Sequence, residues 1–371
     1  MTAKKKVLVL GATGSIGKSA LDIIRGNPDR FEVAGLCAHK NRAELDALSR
    51  EFRCRASVLV SDSGEGALLS MIAGCDADIA VNGISGASGL LPSKAVLERG
   101  MDLALANKET IVMAGPLIRA LAASKGCKIL PVDSEHSAVF SLIEAHGKDS
   151  VAEIILTASG GPFRTVDSSL LPSMTARDAL KHPTWSMGAK ITIDSASLAN
   201  KGLEVIEAVR LFDVPPDRVK VVVHPESLVH SFIRTKDGVL YAQVSKPDMR
   251  HPIHAALTWP ESSPSGLDEL SFEKLCTMRF EPPRYADFPL LGLAYRAAGL
   301  SGSYTIAFNA ANEEAVSAFA RGSLSFTALA EVTARVLERD WSTEPATFDD
   351  VLHADARARE AALAAIKELS R

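Results

Sequence analysis

Asp133 and Glu135 stand close together in the run Val132-Asp133-Ser134-Glu135, presenting several carboxylate oxygens over a short span. Hard divalent cations such as Mg²⁺ or Mn²⁺ prefer carboxylate and water donors, so the pair reads as half of a metal site. The same residues also suit a plainer role, in which Asp133 or Ser134 caps a helix and Glu135 sits in its first turn. A further oxygen donor comes from Asn200-Lys201-Gly202-Leu203-Glu204-Val205-Ile206-Glu207. On a helix Asn200, Lys201 and Glu204 share one face, while Leu203 and Ile206 point to a core. This spacing equally allows a surface Lys201–Glu204 ion pair, and it does not choose between Glu204 and Glu207.

A second kind of chemistry is carried by Gly11-Ala12-Thr13-Gly14-Ser15-Ile16-Gly17, which follows the apolar run Val7–Leu10. Glycines at this spacing between a strand and a helix permit a tight turn and bring free backbone N–H groups to a pyrophosphate, the signature of a dinucleotide site. An NAD site usually places an acid after the second strand. This chain has Ala38-His39-Lys40-Asn41-Arg42 there, and Lys40 and Arg42 suit a 2′-phosphate with no acid to repel it, which favours NADPH over NADH. A solvated basic turn is the competing reading.

Ala158-Ser159-Gly160-Gly161 and Asp194-Ser195-Ala196-Ser197 are read as turns at strand ends, where hydroxyls with Asn200 and Lys201 would cradle a phosphate. Either could equally be an ordinary turn or cap. His182-Pro183-Thr184-Trp185-Ser186-Met187-Gly188 reads as a loop, because Pro183 discourages helix at His182. Its Trp and Met suit a lid over a substrate, or a buried structural loop.

These groups need elements to hold them. From residue 5 to about 132, Val7–Leu10, Val33–Cys37, Ser57–Val60, Ile79–Val81, Leu103–Ala106 and Ile129–Val132 alternate with helical stretches, which predicts an α/β, Rossmann-like, doubly wound parallel sheet. Asn82-Gly83, Asn107-Lys108-Glu109 and Asp133-Ser134-Glu135 then lie beyond the carboxyl ends of strands, where such sheets bind ligands. An α+β catalytic domain is expected over 134–258, with strands at Glu153–Thr157, Lys190–Ile193, Val219–Val223, Ser231–Arg234 and Val239–Val244. A Pro-rich linker follows over 259–290, and then a helical C-terminal domain over 291–371, with helices at Ala307–Phe319, Phe326–Trp341 and Ala354–Leu369.

Composition narrows the classes. At 371 residues the chain is long enough for two domains and a smaller third, and a formal charge of −4 without basic-aromatic clusters gives no support for a nucleic-acid surface. Five scattered cysteines without a C-x-x-C pair argue against disulfides or a zinc site and for a reducing cytoplasm. The basic start Met1-Thr2-Ala3-Lys4-Lys5-Lys6 lacks a signal-peptide core, and no apolar run approaches the ~20 residues that span a bilayer, so no membrane is expected.

Taken in order, Gly11–Gly17, Ala106-Asn-Lys-Glu109, Leu130-Pro-Val-Asp-Ser-Glu-His-Ser-Ala138, Ser159-Gly-Gly-Pro-Phe163, His182–Gly188, Asn200-Lys-Gly-Leu-Glu204, Pro247-Asp-Met-Arg250 and Asn309-Ala-Ala-Asn312 resemble the 1-deoxy-D-xylulose 5-phosphate reductoisomerase family over essentially the whole chain. The resemblance implies an NADPH domain over 1–133, a catalytic and dimerising domain over 134–258, the linker and the helical domain. It places the metal on Asp133, Glu135 and Glu204, setting Glu207 aside. Substrate contacts carry over to Lys108, Ser134, Glu135, Ser159, His182, Ser195, Asn200, Lys201 and Glu204, with Trp185 and Met187 on the lid. Cofactor contacts carry over to Thr13, Gly14, Ser15, Ile16, Lys40, Asn41, Asn107, Glu109 and Gly188; His39 stands where glycine is common and could join them. Lys246, His251 and His254 are atypical without an implied role.

The implied reaction joins a metal-assisted retro-aldol and aldol rearrangement to hydride delivery from NADPH, giving 2-C-methyl-D-erythritol 4-phosphate for isoprenoid precursor synthesis in a cytoplasmic homodimer. In this scheme Lys108, Glu135 and His182 are the catalytic candidates, Glu135 managing a hydroxyl proton while the other two orient substrate. Two rivals are an NADPH-dependent semialdehyde dehydrogenase, which needs a reactive cysteine, and a non-enzymatic NADPH-sensing module.

Overall fold

The computed structural model describes residues 4–185, 187–273 and 275–370. Met1–Ala3 of the basic start and Ser186 of the proposed lid lie outside the described residues.

The first stretch alternates β1 (Lys5–Leu10), α1 (Ser15–Gly26), β2 (Phe31–Ala38), α2 (Arg42–Glu51), β3 (Ala56–Leu59), α3 (Val60–Gly74), β4 (Ile79–Asn82), α4 (Leu90–Glu98), β5 (Asp102–Leu105), α5 (Lys108–Lys125), β6 (Ile129–Pro131) and α6 (Ser134–His146). There follow β7 (Val151–Ala158), α7 (Ala176–Ala179), α8 (Ala189–Ala196), α9 (Ala199–Phe212), β8 (Val219–Val223), β9 (Val229–Thr235), β10 (Leu240–Val244) and α10 (Arg250–Thr258). The chain closes with α11 (Pro289–Gly299), α12 (Tyr304–Ala320), α13 (Ala328–Leu337) and α14 (Phe348–Leu369).

Two compact units result. The first contains residues 1–110, 118–137 and 248–268, and its sheet has the order β3-β2-β1-β4-β5-β6 with every pair parallel. Strands buried on both faces need apolar side chains throughout, and Val7–Leu10 and Ile79–Val81 meet that need with full burial. The order reverses between β1 and β4, so the glycine loop after β1 lies at the switch point where such sheets bind ligands. Helix α10 packs in this unit, against α1, β5 and β6, and Lys5 Nζ donates to the carbonyl of Leu257 at 2.9 Å.

The second unit contains residues 111–117, 138–247 and 269–371. Its mixed sheet runs β10-β9-β7-β8, and one apolar core joins β7, β8, α9 and the helices α11–α14. Phe308, Trp341, Leu203 and Ile206 are fully buried in it.

One expected strand is a helix. Lys190–Ile193 lies in α8, although Ile191, Thr192 and Ile193 are β-branched. Thr192 Oγ1 donates back to the Gly188 carbonyl at 2.8 Å, and the face bearing Ile193, Asp194 and Ala196 is buried, so packing overrides propensity. Ser195 therefore sits in a helix's last turn rather than at a strand end. A helical turn also begins at Pro289, within the stretch read as linker.

Candidate active site

In the first unit, the turn after β1 places Gly11 at φ +83°, with its N–H and that of Ala12 donating to the Cys37 carbonyl at 3.1 and 2.7 Å. Thr13 precedes Gly14, the N-cap of α1, which offers no side-chain cap, so the amides of Ser15 and Ile16 open the helix without a side-chain acceptor. A Cβ on Gly17 would lie 2.3 Å from the Gly11 carbonyl oxygen, so this close helix-to-loop packing demands glycine. A glycine loop whose helix amides no N-cap side chain takes up fits a pyrophosphate.

His39, Lys40, Asn41 and Arg42 form the exposed turn beyond β2. Asn41 caps α2, accepting from the Glu44 N–H at 3.2 Å and donating to Glu44 Oε2 at 2.6 Å. The turn is not free of acids as the local sequence implies, because Arg42 Nη2 reaches Asp62 Oδ2 at 2.7 Å across from α3.

Asn107 and Glu109 flank Lys108 at the start of α5. The buried Asn107 amide donates to the carbonyls of Ile84 and Gly86 at 2.8 Å and to Glu109 Oε2 at 3.0 Å, fixing the loop after β4. Lys108 Nζ is buried and meets Asp133 Oδ2 at 2.6 Å. The other oxygen of Asp133 caps α6, accepting from the N–H groups of Glu135 and His136 at 3.2 and 3.3 Å and facing His136 Nδ1 at 3.0 Å. One residue thus caps α6 through one carboxylate oxygen and meets the Lys108 ammonium through the other. Ser134 Oγ donates to Glu135 Oε2 at 2.7 Å. The carboxylate oxygens are hard donors of the kind a divalent cation prefers, and such an ion would share Asp133 with the Lys108 ammonium.

The second unit gathers the remaining candidates around two hubs. His182 Nε2 lies 3.0 Å from Ser159 Oγ and 3.1 Å from Ser195 Oγ, while Nδ1 accepts from the N–H groups of Thr184 and Trp185 at 3.1 and 2.9 Å. Two amides aimed at Nδ1 place the proton on Nε2, and burial pushes the imidazole below its ordinary pKa, so both effects favour the neutral ring. Gly160 and Gly161 adopt φ +83° and +68°, and a Cβ on Gly161 would lie 2.5 Å from the Ser195 carbonyl oxygen. Glycine here lets Ser159 and Ser195 approach one imidazole.

The second hub is the first turns of α9. Glu204 accepts from Asn200 Nδ2 at 2.6 Å and from the Lys201 ammonium. Lys201 and Glu204 are buried, so the pair is not the surface ion pair that spacing allowed. Burial of a charged pair costs several kcal/mol in desolvation, which favours a functional reason for keeping it. Glu207 is buried one turn further along. On the loop, Trp185 lies 6.4 Å from the His230 ring, Met187 is half-buried, and Gly188 is the N-cap of α8.

Three residues act as supports that their sequence positions do not reveal. His136 and His230 are buried, His230 Nε2 facing Ser245 Oγ at 3.0 Å. Asp194, beside Ser195, meets Lys190 Nζ at 2.8 Å and accepts from Asn312 Nδ2 at 2.8 Å, tying α8 to α12. The Asn309-Ala-Ala-Asn312 motif was the available signal for that tie.

Known proteins match this arrangement along the chain. Family models described as 1-deoxy-D-xylulose 5-phosphate reductoisomerase, its C-terminal domain and the DXP reductoisomerase C-terminal domain match residues 7–115 in two overlapping pieces, 129–212 and 244–361. Curated proteins named 1-deoxy-D-xylulose 5-phosphate reductoisomerase from Treponema denticola and Treponema pallidum are 50% and 47% identical, each alignment covering 98% of this chain and 97% and 98% of theirs. A crystal structure of DOX-P reductoisomerase with NADPH, fosmidomycin and magnesium superposes with a TM-score of 0.91 at 36% identity, covering 98% of this chain and 99% of that one. The Zymomonas mobilis enzyme with NADPH gives 0.90 at 37%, covering 99% and 100%.

Proposed function

This chain belongs to the 1-deoxy-D-xylulose 5-phosphate reductoisomerase family, and from that premise we propose how its residues divide the work. It converts 1-deoxy-D-xylulose 5-phosphate to 2-C-methyl-D-erythritol 4-phosphate with NADPH and a divalent metal ion. When bound, NADPH supplies the hydride and Mg²⁺ or Mn²⁺ the Lewis acidity that polarises the substrate's oxygens.

Thr13, Gly14, Ser15 and Ile16 hold the pyrophosphate, His39, Lys40 and Asn41 the adenosine end, and Asn107, Glu109 and Gly188 the remaining contacts of the cofactor. Asp133, Glu135 and Glu204 hold the metal ion. Ser159, Ser195, Asn200 and Lys201 bind the substrate phosphate, with His182 as the neutral donor between the two serines. Lys108 and Ser134 orient the reacting hydroxyls and Glu135 exchanges a hydroxyl proton, while Trp185 and Met187 keep water out. The observation that carries this division is the single imidazole shared by Ser159 and Ser195, two hydroxyls far apart in sequence.

The test is NADPH oxidation with 1-deoxy-D-xylulose 5-phosphate. Turnover is expected with Mg²⁺ or Mn²⁺ and should vanish with excess chelator; NADPH binding without metal-dependent oxidation would overturn the reading.

We also propose a homodimer built on β10. This strand is an edge of the second sheet, and Val239, Leu240 and Val244 on and beside it are exposed, an invitation to further strand pairing. Sedimentation should give twice the 39.4 kDa chain mass; a species of one chain at micromolar concentration would refute this.

No helix among the described residues is long and apolar enough to cross a membrane.

A further inference from the structure

The turn that meets the adenosine end of the cofactor carries an internal rival for its own arginine. Arg42 opens α2 and Asp62 lies in the first turn of α3, brought alongside because the Ser61 N–H donates to the His39 carbonyl at 2.9 Å. Asp62 Oδ2 accepts from Arg42 Nη2 at 2.7 Å and Nε at 3.3 Å, and Oδ1 accepts from Ser61 Oγ at 2.8 Å, so the carboxylate is oriented from both sides. Asp46 faces the same guanidinium more weakly, at 3.9 Å.

The charges of Lys18 and Glu44 are paired as well. Lys18 Nζ pairs with Glu44 Oε1 at 2.8 Å, and the other Glu44 oxygen takes the Asn41 amide. Lys40, exposed on the turn, has no ion pair among the described residues. A 2′-phosphate brings roughly two negative charges to this turn, and the same cofactor without it brings none.

We propose that Asp62 is a specificity-determining residue that competes with the 2′-phosphate for Arg42 and so lowers this enzyme's preference for NADPH over NADH. The inference rests on the NADPH reading above. A phosphate arriving at the turn meets a guanidinium already bonded to a carboxylate, and it gains Arg42 only by displacing or sharing that partner. NADH makes no such demand. The cost falls on one cofactor alone, which is the definition of a specificity term. Both side chains are exposed, so the pair is weak and screened by salt, and the effect is correspondingly modest.

The test is calorimetric binding of NADPH and NADH to wild type, Asp62→Asn, Arg42→Gln and the double variant, at low and high salt. Asp62→Asn should tighten NADPH about two- to fivefold at low salt and leave NADH unchanged. The gain should shrink at high salt and disappear in the Arg42→Gln background. Weaker NADPH binding by Asp62→Asn would show that the carboxylate orients Arg42 for the phosphate rather than competing for it, and would overturn the proposal. Equal shifts for both cofactors, or no shift at low salt, would overturn it too. Failure of the wild type to oxidise NADPH with substrate would instead count against the enzyme assignment, so the two failures are separable.

Discussion

Glu204→Gln is expected to lower kcat by on the order of a hundred- to a thousandfold while leaving NADPH affinity within about twofold of wild type. The substitution keeps the shape of a buried side chain and removes one negative charge from the proposed donor set. A Lewis-acidic ion contributes several kcal/mol to transition-state stabilisation, and each 1.36 kcal/mol is about tenfold in rate. Glu204 also balances the buried Lys201 ammonium, so the variant should melt at a lower temperature. Folded protein that binds NADPH is therefore the reference for the rate. Glu207→Gln, one turn along the same buried helix, separates charge at the site from charge in the core and should keep most of its turnover. Wild-type-like kcat for Glu204→Gln in saturating Mg²⁺ would remove Glu204 from the metal set.

The second large effect is expected at Gly17. A methyl group there would sit 2.3 Å from the Gly11 carbonyl oxygen and 2.6 Å from Ala12 Cα. Both are backbone atoms of the loop itself, so no flexible side chain can give way. Overpacking of this kind costs about 1–3 kcal/mol, and here the strain lands on the loop proposed to meet the pyrophosphate. Gly17→Ala should weaken NADPH binding roughly 10- to 100-fold, read by fluorescence titration. Gly26→Ala, at the far end of the same helix with nothing within 4 Å of the new methyl, should leave NADPH affinity unchanged. Equal behaviour of the two variants would mean that the loop does not anchor the cofactor.

Much of the cofactor unit is legible in sequence because parallel strands are buried on both faces. Val7–Leu10 and Ile79–Val81 are continuous apolar runs, and each is closed by glycine or asparagine where the chain turns. The same logic misleads at Lys190–Ile193, whose β-branched residues look like a strand. Its helical form depends on Gly188, Asp194 and Asn312, and the last of these lies more than a hundred residues away. Distance along the chain also hides the Arg42–Asp62 pair, since the turn after β2 looks acid-free until α3 is brought beside it. Residue type alone does not mark His136 or His230, because a buried histidine is as often packing as chemistry. The positions whose roles reach beyond their own element are therefore the ones local pattern cannot show.

The two amides that bond to His182 Nδ1 belong to the next residues of the same loop, Thr184 and Trp185. The first half of the loop therefore takes its shape from its own backbone. Ordering a backbone costs about 1–2 kcal/mol per residue, and for this turn that entropy is lost when the protein folds rather than when substrate binds. With His182 at the phosphate as proposed, the affinity of that group remains available for holding the reacting carbons, and the loop's first half acts as a fixed knuckle rather than a flap that each substrate must assemble.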